Sequence, residues 1–175
     1  MINKKAVISR LGNLRGTSIA DLGVGTGDWS LLAAESVGNS GIVFAIDVDK
    51  TILDRLSHEA NEKKIENIQI LRANYALVGG TKLRDESVDM VFLFNTIFQN
   101  EESEYADIFT EATRITKKSG QVIVIDWSDS FSSIGPASND VFKRDMAIKY
   151  AEEAGLRTSR DLDVGERHYG IVFEK

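Results

Sequence analysis

The chain has 175 residues and carries 21 Lys and Arg against 27 Asp and Glu, a net charge of −6. That length suits one domain, and a composition of 42% hydrophobic and 27% charged residues excludes disorder; no apolar run approaches the roughly 20 residues that span a bilayer. The absence of cysteine, with His58 and His168 as the only histidines, excludes disulfide scaffolds, thiolate zinc sites and multi-histidine metal centres, and the acidic balance argues against a general nucleic-acid binder.

No metal site is expected. The start, Met1-Ile2-Asn3-Lys4-Lys5, lacks the apolar core of a secretory signal, so a cytoplasmic protein without membrane association is expected. In chain order, Thr17 to Leu22 reads as a strand, Asp28 to Val37 as a helix and Gly41 to Asp47 as a second strand. Lys50 to Lys64 predicts a helix with Ile52, Leu53, Leu56 and Ala60 on one face, the spacing that lets a helix cover a sheet. Asn67 to Arg72 and Val88 to Phe94 read as the third and fourth strands.

The next helix has Asn100 as its expected cap, acids in its first turn, and Tyr105, Ile108, Phe109, Ala112 and Ile115 as its buried stripe; Lys117 and Lys118 are expected in its last turn. Gln121 to Asp126 is apolar on both faces, as buried parallel strands are. Asn139 to Ala154 predicts another helix. Arg157 to Leu162 and His168 to Phe173 predict a strand pair around a turn at Asp163 to Gly165. Strands alternating with helices make this an α/β chain.

Gly23, Gly25 and Gly27 stand where the first strand turns into the first helix, a position that needs unusual backbone angles and lets a ligand approach the main chain. The spacing discriminates between ligands. A dinucleotide G-x-G-x-x-G starting at Gly23 requires glycine at position 28, and that residue is Asp28, whose carboxylate at a helix N-terminus would repel a pyrophosphate. No Lys-Ser/Thr pair follows, so a phosphate-binding loop also fails. Asp47 closes the second strand, where an acid can accept both hydroxyls of a ribose; the competing expectation is that it caps the helix near Lys50.

With these residues in place, the sequence resembles the class I S-adenosylmethionine-dependent methyltransferases. Asp21-Leu22-Gly23-Val24-Gly25-Thr26-Gly27 and Ala45-Ile46-Asp47-Val48-Asp49 resemble the family's first two motifs, Asp85 to Val91 its fourth-strand signature, and Glu111 to Gln121 the stretch that leads into strand five. The resemblance implies a Rossmann-like three-layer α/β/α sandwich with a seven-stranded, mostly parallel sheet in the order 3-2-1-4-5-7-6, strand 7 antiparallel. It implies a single domain over residues 1–175, with 1–16 an N-terminal lid or helix segment and 17–175 the Rossmann-like core.

It also implies S-adenosylmethionine as cofactor, with S-adenosylhomocysteine as product. Gly23, Gly25 and Gly27 would let the backbone approach the methionine portion, with Asp21 near its amino group; Asp47 would hold the ribose, Val48 would pack on adenine, and Asn95 would face the methyl region. The family's third-strand acid is replaced by Asn74, which can still accept from the adenine amine but without charge, and Tyr75 or Leu77 could add an apolar wall. Asn95-Thr96-Ile97-Phe98 lacks the prolines of the nucleobase amino-methylating members.

Methyl transfer is an in-line displacement at a carbon that the sulfonium already activates, so no obligatory catalytic residue follows. A base is needed only if the acceptor must lose a proton, a role His168 could fill if it points into the cleft; the catalytic residues are left unassigned, with His168, Asp126 and Asn95 as the candidates. For His168 the favoured expectation is a hydrogen-bonded ring at the sheet edge. For Asp126, at the end of strand five where open sheets place ligands, a loop cap competes equally. Trp29 and Trp127 are expected as packing groups, with Phe94, Ile97 and Phe98 as core or wall. The expected activity is methyl transfer to a small-molecule acceptor by a monomer or homodimer. RNA or protein methylation, or a non-catalytic cofactor-binding partner subunit, are the alternatives. Met1 to Gly16, Asn95 to Ser103 and Trp127 to Ser138 remain as material for a lid.

Overall fold

The computed structural model describes residues 2–131 and 134–175; Met1 of the expected lid segment, and Ser132 and Ser133 of the expected lid loop, lie outside the described residues. In chain order the elements are α1 (Lys4–Arg10), β1 (Ser18–Leu22), α2 (Asp28–Val37), β2 (Ile42–Asp47), α3 (Lys50–Glu62), β3 (Ile68–Arg72), β4 (Val88–Phe94), α4 (Tyr105–Ile115), β5 (Thr116–Trp127), α5 (Arg144–Glu153), β6 (Arg157–Asp161) and β7 (His168–Glu174). The strands form one seven-stranded sheet in the order β3-β2-β1-β4-β5-β7-β6. All neighbours run parallel except at β7, which is antiparallel to both β5 and β6.

The period of two along each strand sends alternate side chains to opposite faces. Leu93, Val122 and Val124 meet Ile108 and Phe109 of α4 and Ala147 of α5 on one face, while Phe92, Phe94, Ile123 and Ile125 meet Val7 and Ile8 of α1 and Trp29 and Ala33 of α2 on the other. Each fully buried side chain of this size contributes roughly 1.5–3 kcal/mol, which is why a purely apolar Val122 to Ile125 belongs at the centre of the sheet. Strand order reverses between β1 and β4, and the crevice beyond the carboxyl ends of those two strands is where an open α/β sheet receives a ligand.

Three expectations need correction. Lys117 and Lys118 do not end a helix: α4 stops at Ile115, and both lysines lie in β5, where the pairing with β4 shifts between Val88 and Met90 and Ser119 takes a φ of +63°. Lys117 Nζ donates instead to Asp89 at 2.9 Å. Asn100 is not a helix cap; its amide donates to the Thr96 carbonyl at 2.7 Å, and Glu101 and Glu104 form a reciprocal capping box one residue later.

The helix expected from Asn139 to Ala154 covers only Arg144–Glu153. Val141 and Lys143 are extended, and Phe142 between them, outside any helix, is buried against Tyr105 at 4.7 Å between ring centres, next to Phe109 and Tyr150. The N-terminal segment, for its part, is docked more than draped. Asn3 caps α1 by accepting from Ala6 N, and Val7, Ile8, Leu11 and Leu14 are buried against the sheet face, leaving Ile2 and Lys4 to reach the crevice. No helix of the described residues is long and apolar enough to cross a membrane.

Candidate functional site

The crevice is a cleft of about 590 Å³ walled by the turn after β1, the end of β2, the segment after β4, Trp127 at the end of β5 and the N-terminal residues Ile2 and Lys4. Its floor is the glycine turn. Gly23 has a φ of +83°, and a Cβ there would stand 2.0 Å from the Thr96 hydroxyl, so only glycine lets the turn and the β4 end close together. Gly27, at φ +87°, is the residue from which α2 starts, and its missing side chain makes room for Leu56 of α3. Gly25 lines the cleft and its carbonyl accepts from Arg55 at 2.7 Å.

Asp47 ends β2 almost buried, and its Oδ1 accepts from Asp49 N at 3.0 Å; its second carboxylate oxygen takes no hydrogen bond from the described residues. It caps no helix. Asp49 does that, accepting from Thr51 N at 2.7 Å. Val48 beside it is 51% exposed, an apolar surface left open to the cleft.

Across the cleft, Asn95 has a φ of +52° and accepts from Gln99 through its main chain, while its side-chain Oδ1 is buried without a partner among the described residues. A buried acceptor left unpaired costs about 1–3 kcal/mol, so its retention points to a donor that arrives with a ligand. Tyr75 and Thr96 share a 2.8 Å hydroxyl hydrogen bond that ties the wall after β3 to the wall after β4, and burial holds the Tyr75 phenol above its usual range. Trp29, Phe94, Phe98 and Trp127 supply an apolar half.

Six of the expected cofactor residues therefore line one cleft: Gly23, Gly25, Asp47, Val48, Tyr75 and Asn95. Three do not. Asp21 lies beneath the turn, where its carboxylate accepts from Ser30 at 2.5 Å and burial pushes it up to about 7. Gly27 is withdrawn to the helix start. Asn74 turns back on its own chain, its Oδ1 accepting from Ala76 N at 2.9 Å, because a short amide two residues before a free N–H closes an Asx turn.

Of the catalytic candidates, Asn95 lines the cleft, while Asp126 and His168 fall outside the lining. Asp126 is fully buried opposite Tyr169; Oδ1 accepts from Trp127 N, the main-chain N–H groups of Phe98 and Ile97 face the carboxylate, Oδ2 makes no hydrogen bond of normal geometry among the described residues, and burial raises the carboxyl to about 7. His168 is not a hydrogen-bonded edge residue: β7 lies inside the sheet, the ring packs 4.2 Å from Trp127, and Nε2 is buried without a partner among the described residues. Burial, with Arg167 adjacent, lowers it to about 4, so the ring is neutral at pH 7. Lys4 and Thr96 were not legible as cleft residues, since the contacts that bring them there join segments far apart in the chain. Trp29 and Trp127, expected only to pack, also line it. Among the described residues no group of three or more His, Asp or Glu is placed to hold a metal ion.

A family model described as Methyltransferase domain matches residues 19–120. The demethylmenaquinone methyltransferase of Lactococcus lactis subsp. lactis is 33% identical over 122 residues, which are 69% of this chain and 46% of that protein. Its counterpart in Listeria monocytogenes serotype 4a is 26% identical over 169 residues, 92% of this chain and 69% of that protein. The chain thus spans between about half and two thirds of the length of these relatives. A crystal structure of a SAM dependent methyltransferase from Aquifex aeolicus matches with a TM-score of 0.87 at 24% identity, covering 99% of this chain and 89% of that one, a likeness of fold.

Proposed function

Because the chain belongs to the class I S-adenosylmethionine-dependent methyltransferases, we propose that it transfers the cofactor's methyl group to a small-molecule acceptor, residues 1–175 acting as one domain. The observation that carries this is the meeting, on one cleft, of the glycine turn, a β2-terminal carboxylate with a free oxygen, and an unpaired buried acceptor on Asn95. Those groups fit the cofactor. Asp47 offers acceptor oxygens to two ribose hydroxyls, Val48 an apolar face to a purine, and Asn95 an acceptor to a cationic or hydrogen-bonding donor.

When bound, the cofactor supplies a methyl carbon already activated by its sulfonium charge. The chain's part is alignment and exclusion of water. Tyr75 and Thr96 brace the wall that carries Asn95, and the four aromatic rings keep the acceptor side dry. No histidine lines the cleft among the described residues, and the reading assigns no general base: as the methyl leaves sulfur, the proton that the acceptor sheds passes to solvent.

The relatives' name, demethylmenaquinone methyltransferase, and the aromatic lining together favour a flat, largely apolar ring of quinone type, methylated in its electron-rich reduced state. The test is incubation with methyl-labelled S-adenosylmethionine and a panel of reduced demethylmenaquinone, simpler hydroquinones, RNA and protein. Label is expected in the ring compounds; label confined to RNA or protein would overturn the acceptor class.

A further inference from the structure

The cofactor proposed above carries two cations, a sulfonium and an ammonium, and one anion, a carboxylate. Each needs a counterpart in the cleft. The lining supplies acceptors freely, in Asp47, Asp49 and Asn95, but among the described residues it holds one cation, Lys4. Arg55 lies nearby, donating to the Gly25 carbonyl, but it does not line the cleft.

Lys4 reaches this place because Asn3 starts α1 just outside the cleft and the buried residues Val7 and Ile8 hold that helix against the sheet. Its ammonium lies 2.5 Å from the Asp28 carboxylate at the head of α2 and 5.6 Å from the Trp29 ring centre. Asp28 also accepts from the Thr26 hydroxyl at 2.7 Å, so the carboxylate that holds Lys4 is itself fixed to the glycine turn. The Lys4 side chain is 31% exposed, and an ammonium has three donors, of which Asp28 uses one. A ligand carboxylate entering the cleft is repelled by Asp47 and Asp49 and finds the lining's cation in this group.

We propose that Lys4 is the residue that recognises the carboxylate of the cofactor's amino-acid end, making the enzyme select the intact cofactor over its decarboxylated form. Asp28 then has the task of holding the ammonium at the turn, rather than merely joining α1 to α2. This rests on the cofactor reading above.

The experiment is calorimetric titration of S-adenosylhomocysteine and of its decarboxylated analogue, which keeps the amine, into the full chain and into Lys4→Met, Lys4→Arg and Asp28→Asn. Methionine preserves the unbranched stem over Trp29 and removes only the charge. The unaltered chain is expected to prefer the intact ligand by about tenfold, equal to about 1.4 kcal/mol. Lys4→Met should lose that preference by weakening the intact ligand alone, Lys4→Arg should keep it, and Asp28→Asn, which loosens the hold on the ammonium, should lower the preference in part, again through the intact ligand. Equal weakening of both ligands in Lys4→Met, or an undiminished preference there, would each show that Lys4 is only an anchor for α1. An unaltered chain that binds neither ligand takes down the cofactor reading as well, an outcome distinct from tight binding that ignores position 4.

Discussion

The two ends of the sheet carry hollows of similar size and opposite character. Beyond the amino ends of β2 and β3 lies a groove of about 730 Å³ lined by Gly38, Asn39, Lys64, Glu66 and Asn67, larger than the cleft of about 590 Å³ at the carboxyl ends. At the groove, polar groups are satisfied within the chain: the Asn67 amide donates to the carbonyls of Ala34 and Gly38 at 2.8 and 2.9 Å. Along the same edge of the sheet, Asp89 accepts from Ser18 and Lys117. The carboxyl edge instead holds Asn95 Oδ1, Asp126 Oδ2 and His168 Nε2, all buried and all without hydrogen-bond partners among the described residues; the hydroxyls of Thr113 on α4 and Thr158 on β6 are also unpartnered but line neither hollow. Volume does not separate a binding site from a crease between elements; unpaired polar atoms over a strained turn do.

If the carboxyl edge is built for a ligand, changes there should damage binding, while changes at the amino edge should damage only stability. The largest effect belongs to Gly23→Ala. A left-handed φ costs a residue with a Cβ about 1–2 kcal/mol, and the added carbon meets the Thr96 hydroxyl, so a total loss of about 3 kcal/mol is expected in chemical denaturation, together with loss of cofactor affinity. Retained affinity would mean that the turn is not the cleft's floor.

Asn67→Ala provides the contrast. It removes two hydrogen bonds at the amino edge and should cost about 1–2 kcal/mol of stability, with S-adenosylhomocysteine affinity unchanged. A matching fall in affinity would erase the distinction between the edges.

Asp126→Asn sharpens it through pH. The folded carboxyl stays protonated up to about 7, against an ordinary value of 3.8, so the folded state binds more protons between those values and stability falls as pH rises through that window. Asp21, raised to a similar value by burial, contributes the same slope, and His168, lowered to about 4, opposes it between its ordinary 6.5 and that value. The variant should therefore show a shallower decline in melting temperature from pH 4 to 7, and an unchanged slope would contradict the account of Asp126.

How much of this was legible in the sequence differs between the same two kinds of feature. The glycine turn and Asp47 are local signals, each explained by backbone angles and position at a strand end, and the apolar stripes of α3 and α4 place those helices without further help. Asn74 reads as an acceptor because its side chain can accept; nothing local announces that the Ala76 N–H will take it first. Lys4 meets Asp28 across 24 residues and Thr96 meets Tyr75 across 21, and contacts of that separation leave no periodic trace. The break before α5 is likewise a tertiary effect, since Phe142 leaves a helical pattern to enter an aromatic cluster.

The central claim is that the carboxyl-edge cleft holds S-adenosylmethionine through Asp47. Its most direct measurement is calorimetric titration of S-adenosylhomocysteine into the unaltered chain and into Asp47→Ala. The account predicts one site per chain, weakened about a hundredfold in the variant, which is about 2.7 kcal/mol for two charge-assisted hydrogen bonds. Equal affinity in the two proteins, or no heat from the unaltered chain at millimolar ligand, would contradict it.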